Sequence, residues 1–423
     1  MKYKNRVSDA LLERKLEGKG AVLVEGPKWC GKTTTAKQHA KSLLNLGDGE
    51  VLKQSRQMAE VNSKTLLLGA SPRLIDEWQV LPELWDSVRS EVDRRGEFGQ
   101  FILTGSSVPP DAMQFVHSGT GRISRLRMRT MSLYESGESS GKVSLASLFE
   151  SQDIEPIVND VDLEQIAYLL CRGGWPQATF LKGSVALDQA FDYYDAIVKS
   201  DIHRVDNTRR STERTRMILR SIARNLSQSV PFTTICSDIC ANDSSSVNDD
   251  TVADYHNALQ RLFVVEDMPA WNPNLRSKAA IRTSPTRHFV DPSIGTAALG
   301  IVPKDLLSDL ESFGLFFEDM AIRDLRVYAD AIGGSVSHFR DAKGLECDAV
   351  VHLRNGSYGL VEIKLGGETK IAEGAASLFS LSQKIDTTRM REPSFLMVLT
   401  AVGKYAYRRQ DGVLVVPISC LKD

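Results

Sequence analysis

In the first third of the chain, short apolar runs alternate with segments whose apolar positions recur every three or four residues. The runs are Ala21–Glu25 (AVLVE), Arg73–Ile75 (RLI) and the FILTG that opens at Phe101. Runs of this length fit strands covered on both faces, and the intervening period fits helices lying over them. The alternation predicts an α/β domain with a parallel sheet over residues 1–140, broken by YESGESSGK from Tyr134. From Val143 the pattern is mostly helical, with LEQIAYLLCR running into Gly173-Gly174-Trp175-Pro176, a tight turn or helix stop. Residues 141–209 are therefore expected to form a helical lid.

Residues 210–300 have another rhythm. A helix in STERTRMILRSIARNLSQSV, a short helix in PFTTICSDIC and a helix from Asp249 precede a strand over Phe263–Asp267 and the turn PAWNPN. Three helices followed by a β-hairpin are the order of a winged helix-turn-helix. Residues 301–423 open with an amphipathic helix, GLFFEDMAIRDLRVYADA. Strands are predicted at Val336–Arg340, Glu346–Leu353 and Tyr358–Lys364, separated by glycine-containing turns.

Composition narrows these expectations only slightly. The 423 residues suggest two to four domains at about 150 residues each, and 42% hydrophobic content supplies ample core. A formal net charge of −2 excludes a protein that is basic throughout, so any nucleic-acid contact must lie on a local face. Six cysteines are scattered, and Cys236 and Cys240, the one close pair, lack companions for a zinc site. No run approaches the ~20 apolar residues of a membrane span, and the N-terminus lacks a signal-peptide core, so no membrane partner and a cytoplasmic location are expected.

The chemistry begins after the first strand. Gly26-Pro27-Lys28-Trp29-Cys30-Gly31-Lys32-Thr33-Thr34 fits G-x-x-x-x-G-K-[ST] between a strand and a helix, the context that gives the motif meaning. Gly26 and Gly31 let backbone N–H groups turn inward on a phosphate, and the helix N-terminus adds partial positive charge. Lys32 is placed to reach β- and γ-phosphates and Thr33 to ligate Mg²⁺, which makes ATP and Mg²⁺ the expected cofactors. The strand ending in Asp76-Glu77 supplies a second metal ligand, Asp76, and a base, Glu77, to polarise the attacking water. The polar end of the third strand, Thr104 to Ser107, would sense the γ-phosphate. Arg122, Arg125 and Arg127 are candidates for an arginine finger in cis or from a neighbouring subunit, with Arg122 the first choice, so a homo-oligomer stays open.

Two further sets carry weaker signals. In the middle region, Thr251, Tyr255 and Asn257 lie on the candidate recognition helix, and Arg276, Lys278, Arg282 and Arg287 on the candidate wing, where they would meet phosphates of double-stranded DNA. Asp249, Asp250 and Asp254 argue against docking into a groove, and a protein contact fits equally well. Near the C-terminus, Glu362 and Lys364 share one face of a strand, and Asp348 lies on the strand before. Two acids can hold Mg²⁺ and a lysine can orient the attacking water, with Glu318 completing the set from a helix. The alternative is a salt-bridged Glu362–Lys364 pair on a solvated sheet edge.

Taken in order, GPKWCGKTT, LIDEWQ, FILTGSS, GGWP, FVDPSIG, FEDMAIRDL, ECDAVV and LVEIKLG resemble the prokaryotic AAA-type, archaeal-ATPase-like proteins that end in a domain of unknown function. The resemblance covers nearly the whole chain. It implies a P-loop AAA-type ATPase domain (1–140), a helical lid (141–209), a winged-helix-like domain (210–300) and a C-terminal α/β restriction-endonuclease-like domain (301–423) of the PD-(D/E)xK type. Trp29-Cys30 departs from the small or aliphatic residues usual in that loop, and Pro292 stands where a glycine usually follows Asp291. The leading expectation is an ATPase whose nucleotide state moves modules acting on DNA. The alternatives are an ATP-licensed, metal-dependent nuclease using Asp348, Glu362 and Lys364, and an interaction switch without DNA contact.

Overall fold

The computed structural model describes residues 2–106, 119–152, 154–206, 208–240, 247–272 and 284–423. The chain divides into two compact units. The first combines Met1–Thr130 with Lys199–Arg209 and Ala258–Phe263. The second combines Met131–Val198, Arg210–Asn257 and Val264–Asp423.

The first unit is a parallel five-stranded sheet. Its strands are β1 (Ala21–Glu25), β2 (Ser42–Asn45), β3 (Arg73–Asp76), β4 (Phe101–Gly105) and β5 (Ile123–Arg127), in the order β2-β3-β4-β1-β5. Helices α1 (Val7–Gly18), α2 (Lys32–His39), α3 (Gly49–Asn62) and α4 (Leu84–Arg95) cover it. Every residue of β1 is buried, as a central parallel strand requires. Alternate residues serve opposite faces: Ala21 and Leu23 join a core with Ile75, Leu103, Trp78 and Trp85, whereas Val22 and Val24 join Leu12, Ala36, Leu74 and Ile102. The parallel sheet expected from the apolar runs is present, and β2, a four-residue strand, is an addition to it.

Helix α4 carries a buried acid. Glu91 has almost no exposed surface and accepts from Arg94 Nη2 at 2.7 Å and Arg95 Nε at 2.6 Å. The Arg94 hydrogen bond, with Arg95 beside it, holds the carboxyl down at about 2 against burial, which pushes it up. A carboxyl depressed in the folded state contributes stability above its unfolded pKa of about 4.5 and loses it as pH falls toward the folded value. Glu91→Gln is therefore expected to lower the midpoint of thermal unfolding at neutral pH, with the gap to wild type closing as the pH falls from about 4.5.

The second unit is built on a seven-stranded sheet. Its early elements are α5 (Leu133–Ser136), β6 (Val143–Ser144), α6 (Leu145–Leu148), β7 (Ile157–Val158), α7 (Leu163–Arg172) and α8 (Gly183–Lys199, entering the first unit at its last residue). Next come α9 (Thr212–Arg224), α10 (Phe232–Cys240), α11 (Asp249–Arg261, whose last turn belongs to the first unit), β8 (Val265–Met268) and β9 (Thr286–Phe289). Helices α12 (Pro292–Leu299), α13 (Pro303–Ser308) and α14 (Leu310–Ala331) follow. The C-terminal elements are β10 (Gly334–Arg340), β11 (Glu346–Leu353), β12 (Tyr358–Lys364), α15 (Glu368–Lys384), β13 (Phe395–Thr400), β14 (Tyr405–Arg408), β15 (Leu414–Pro417) and β16 (Leu421–Lys422). Strands β10, β11 and β12 are antiparallel to one another, and β12, β13 and β15 are parallel.

The stretch expected to join a helical lid also supplies strands. β7 extends the C-terminal sheet against β14, and β6 pairs with β16. Ser139 and Ser144 hydroxyls donate to the carbonyls of Leu421 and Asp423 at 2.6 and 2.7 Å. These strands are two residues long, and their partners lie some 250 positions away, so no local period betrays them.

A buried polar knot ties distant motifs of this unit together. Asp291, fully buried, caps α12 by accepting from Ser293 N, and Pro292 occupies the first helical turn, where a missing N–H costs nothing. The unusual proline thus fits its place. The other oxygen of Asp291 accepts from Gly174 N at 2.8 Å and from Arg323 Nη1 at 3.1 Å. Arg323 Nε donates to Asp324 at 2.8 Å, and Asp324 accepts from Leu133 N at 3.0 Å. Trp175 donates to the Ser293 hydroxyl at 2.9 Å. Gly174 is required by approach: a Cβ there would stand 2.1 Å from the carbonyl oxygen of Met131.

Candidate functional site

The loop between β1 and α2 stands at the C-terminal end of the central strands. Gly26 must be glycine, since a Cβ would lie 2.0 Å from the Met128 carbonyl oxygen. Gly31 is left-handed at φ 100° and caps α2. Trp29 is also left-handed, at φ 64°, and its side chain is half exposed. Behind the loop, Cys30 is fully buried and its thiol faces the Met128 carbonyl at 3.6 Å. Arg6, buried, donates to the carbonyls of Cys30 (2.8 Å) and Arg129 (2.9 Å) and holds the loop from behind. This use of Arg6 gives no signal in the sequence, because an isolated N-terminal arginine reads as solvated.

Lys32 Nζ donates to the carbonyls of Gly26 (2.9 Å) and Pro27 (2.6 Å), inside the cradle its loop forms. Thr33 Oγ1 donates to Asp76 Oδ1 at 2.7 Å, and Thr104 Oγ1 donates to the same oxygen at 2.5 Å. The register explains the convergence: Asp76 pairs with Thr104 across adjacent parallel strands, and Val24 pairs with Thr104 on the other side. Glu77 follows in the left-handed region at φ 58°, a conformation that costs a bulky residue of order 1 kcal/mol or more and persists where surroundings enforce it. Buried Trp78 follows it directly, its ring tilted by 37° against Trp85 with centroids 5.0 Å apart. The Glu77 carboxylate accepts from Gln79 Nε2 and from Ser106 Oγ at 3.4 Å. Pro27 and Lys28 complete the loop, with Lys28 Nζ 2.5 Å from Asp201. Thr34 follows in the first turn of α2.

The donor set around Asp76 suits Mg²⁺: a carboxylate and a hydroxyl, both hard oxygens, face the same cradle. Ser107, expected as the far end of the sensor stretch, lies outside the described residues.

The arginines divide. Arg122 precedes β5 at the edge of the sheet opposite the loop, since Ala21 pairs with Ile123. Four strand steps, ~13 Å at ~3.3 Å each, separate that level from Glu25. Arg122 instead pairs with Asp93 at 2.9 Å. The parallel register thus puts Arg122 at the far end of β5 from the loop of its own chain. Arg125 pairs with Glu25 at 2.9 Å, and Arg127, level with Glu25, stacks over the Phe263 ring at 5.2 Å.

In the middle region, α9, α10, α11 and the β8–β9 hairpin follow in the expected order. Tyr255 does not face outward: it is buried, and its hydroxyl accepts from Ser211 N at 2.7 Å. Thr251 bonds to Asn248 in the first turn, and Asn257 is exposed. Asp254 holds the buried Arg210 through two contacts of 3.0 Å. Arg287 is likewise not a wing residue reaching for phosphate. It is buried, donates to the Val230 carbonyl and lies 4.5 Å from the Phe232 ring centre. Arg276, Lys278 and Arg282 lie outside the described residues.

The C-terminal set does converge. Asp348 stands where β11 leaves its ladder with β12, and its Oδ2 accepts from Ile363 N at 2.7 Å and from Lys364 Nζ at 3.1 Å. Lys364 Nζ also lies 2.6 Å from Glu362 Oε2, so the ammonium spans the two acids. Ser377 on α15 donates to Glu362 Oε1 at 3.3 Å. Burial and the Asp348 charge push Glu362 up to about 8. Burial, with the Asp348 charge next, raises Glu318 well above the carboxylate range. Among the described residues, no three His, Cys, Asp or Glu side chains are spaced to hold a metal ion, and Lys364 sits between Asp348 and Glu362.

Comparison with known proteins divides the chain in three. Residues 18–137 match the family described as AAA domain. Residues 163–305 match a domain of unknown function, DUF8612, and residues 313–421 another, DUF4143. No curated protein matches. Similar solved structures include the Walker-type ATPase PABY2304 of Pyrococcus abyssi, 16% identical over 70% of this chain and 96% of that one, with a TM-score of 0.46. Another is the Aeropyrum pernix ORC1 protein, solved in complex with DNA, 12% identical over 72% of this chain and 94% of that one, with a TM-score of 0.27. No described helix is long and apolar enough to cross a membrane. The AAA match, the parallel sheet and the loop geometry make residues 18–137 an AAA-type P-loop nucleotide-binding domain.

Proposed function

We propose that the chain is a Mg²⁺-dependent ATP hydrolase whose nucleotide state governs what its second unit does, with DNA as the target of that unit. The observation that carries the hydrolase reading is the convergence of Thr33 and Thr104 on one oxygen of Asp76, with Glu77 held beside it. Thr33 and Asp76 would hold Mg²⁺, which when bound neutralises phosphate charge. Lys32 exchanges the Gly26 and Pro27 carbonyls for phosphate oxygens. Glu77 orients a water against the γ-phosphorus and accepts its proton as the bond to the bridging oxygen breaks. Thr104 fixes Asp76 and lies where a change at the γ-phosphate is felt. Phosphate release by the purified protein with Mg²⁺ and ATP is expected to fall at least ~100-fold in Lys32→Ala, which loses the charge that stabilises the transferring group. Equal rates in both would sink the reading.

A second activity, cleavage of DNA, is favoured by one observation: Lys364 spans Asp348 and Glu362 on adjacent strands, with Glu318 the acid expected from the preceding helix. Asp348 and Glu362 would hold a divalent cation once Lys364 moves aside, and Lys364 would orient water. Nicking of supercoiled plasmid with Mg²⁺ or Mn²⁺ and ATP is expected, lost in Glu362→Ala. Intact plasmid under every metal and nucleotide combination counts against it.

A further inference from the structure

The phosphate loop has a partner in the short segment Lys199–Arg209, which belongs to the first unit although the chain on both sides of it belongs to the second. Lys28, third residue of the loop, places Nζ 2.5 Å from Asp201 Oδ1. The two ends of this pair differ: the Lys28 side chain is 40% exposed, the Asp201 side chain 8%. Asp201 opens a single turn, Asp201–His203, that Ile202 anchors by complete burial. A carboxylate so placed cannot follow the lysine into solvent. The lysine, on a flexible stem, can leave.

We propose that Asp201 is a positioning residue of the nucleotide site, holding Lys28 away from the phosphates until nucleotide takes the ammonium in exchange. The inference rests on the hydrolase reading above and adds to it a second cation of the loop and the group that controls it. ATP offers Lys28 several phosphate oxygens in place of one carboxylate oxygen. The exchange strands a nearly buried charge on Asp201, and that unfavourable term is set against nucleotide binding. It also loosens the segment 199–209 from the loop, so occupancy of the site is felt at a point flanked on both sides by chain of the second unit. Loss of a partly exposed ion pair of this kind changes affinity by about two- to five-fold.

The test is equilibrium titration of the full chain with a fluorescent ATP analogue and Mg²⁺, beside ATP hydrolysis. Asp201→Asn, which keeps the shape and removes the charge, is expected to tighten binding about two- to five-fold and to lower KM by a similar factor, with kcat not rising in proportion. Lys28→Met is expected to weaken binding, and Asp201→Asn added to Lys28→Met is expected to do nothing more. In wild type, amide hydrogen exchange over residues 199–209 should rise on adding ATP, and in Lys28→Met it should be high already. Weaker or unchanged binding in Asp201→Asn, or the same effect in the Lys28→Met background, overturns the proposal. Its failure is distinguishable from failure of the hydrolase reading: in the latter, wild type itself shows no Lys32-dependent binding.

Discussion

Glu77→Gln is expected to slow ATP hydrolysis by about 10²–10⁴-fold while Mg²⁺·ATP still binds, because the change removes a proton acceptor and nothing that grips phosphate. The geometry separates the two roles. The groups proposed to grip phosphate and Mg²⁺, Lys32 and Thr33, stand on the loop and the first turn of α2, whereas Glu77 stands beyond β3, turned back by its left-handed backbone. An amide in its place can still accept from Gln79 and Ser106, so the turn should keep its shape. Single-turnover hydrolysis and binding of an ATP analogue, measured side by side, read the two effects. Loss of binding equal to the loss of rate would assign Glu77 a structural role.

The second large effect concerns stability. Arg323→Met is expected to destabilise the protein by about 3–5 kcal/mol, the range for breaking a buried ion pair from one side. Asp291 and Asp324 are both fully buried and both lean on this guanidinium. Burial already pushes Asp324 up to about 6, with Arg323 opposing it, so removing the arginine leaves burial to act alone. Arg340→Met is the control. Its pair with Glu346 is half exposed at both ends and should be worth about 0–1 kcal/mol. Urea unfolding midpoints of the three proteins decide the matter. Equal shifts in both variants would mean that the knot contributes no more than a surface pair.

What the sequence disclosed follows from range. β11 and β12 have the bounds expected of them, Glu346–Leu353 and Tyr358–Lys364, because alternation and glycine turns are local signals. β1, β3 and β4 were legible as apolar runs for the same reason, and the loop after β1 because its spacing is nearly unique to phosphate. Arg122 proved to lie away from the loop of its own chain, since a strand's sequence does not say which of its ends lies beside a neighbour's loop. Tyr255 and Arg287 read as contact residues from their chemistry, yet packing against Ser211 and Phe232 buries them. The knot of Gly174, Asp291, Arg323 and Asp324 was hidden most completely. Charged residues on a helix read as a solvated face, and their partners lie as far as 117 (Gly174 to Asp291) and 191 (Leu133 to Asp324) positions away in this chain. Beyond Lys364, α15 and strands β13 to β15 had no reading at all, although these strands are three of the seven in the second sheet.

The division of the chain also sets a schedule. The strand path passes between the two units five times, and the first is complete only when Ala258–Phe263 has joined Met1–Thr130 and Lys199–Arg209. A ribosome that has finished Thr130 has another 133 residues to add before Phe263 exists, the difference between positions 263 and 130. At about 5–20 residues per second that is a wait of about 7–27 s. During that interval the phosphate loop is made, but Asp201 and then Phe263, the partners of Lys28 and Arg127, are still arriving. The nascent nucleotide domain is thus kept from its final form until well over half of the protein has been synthesised.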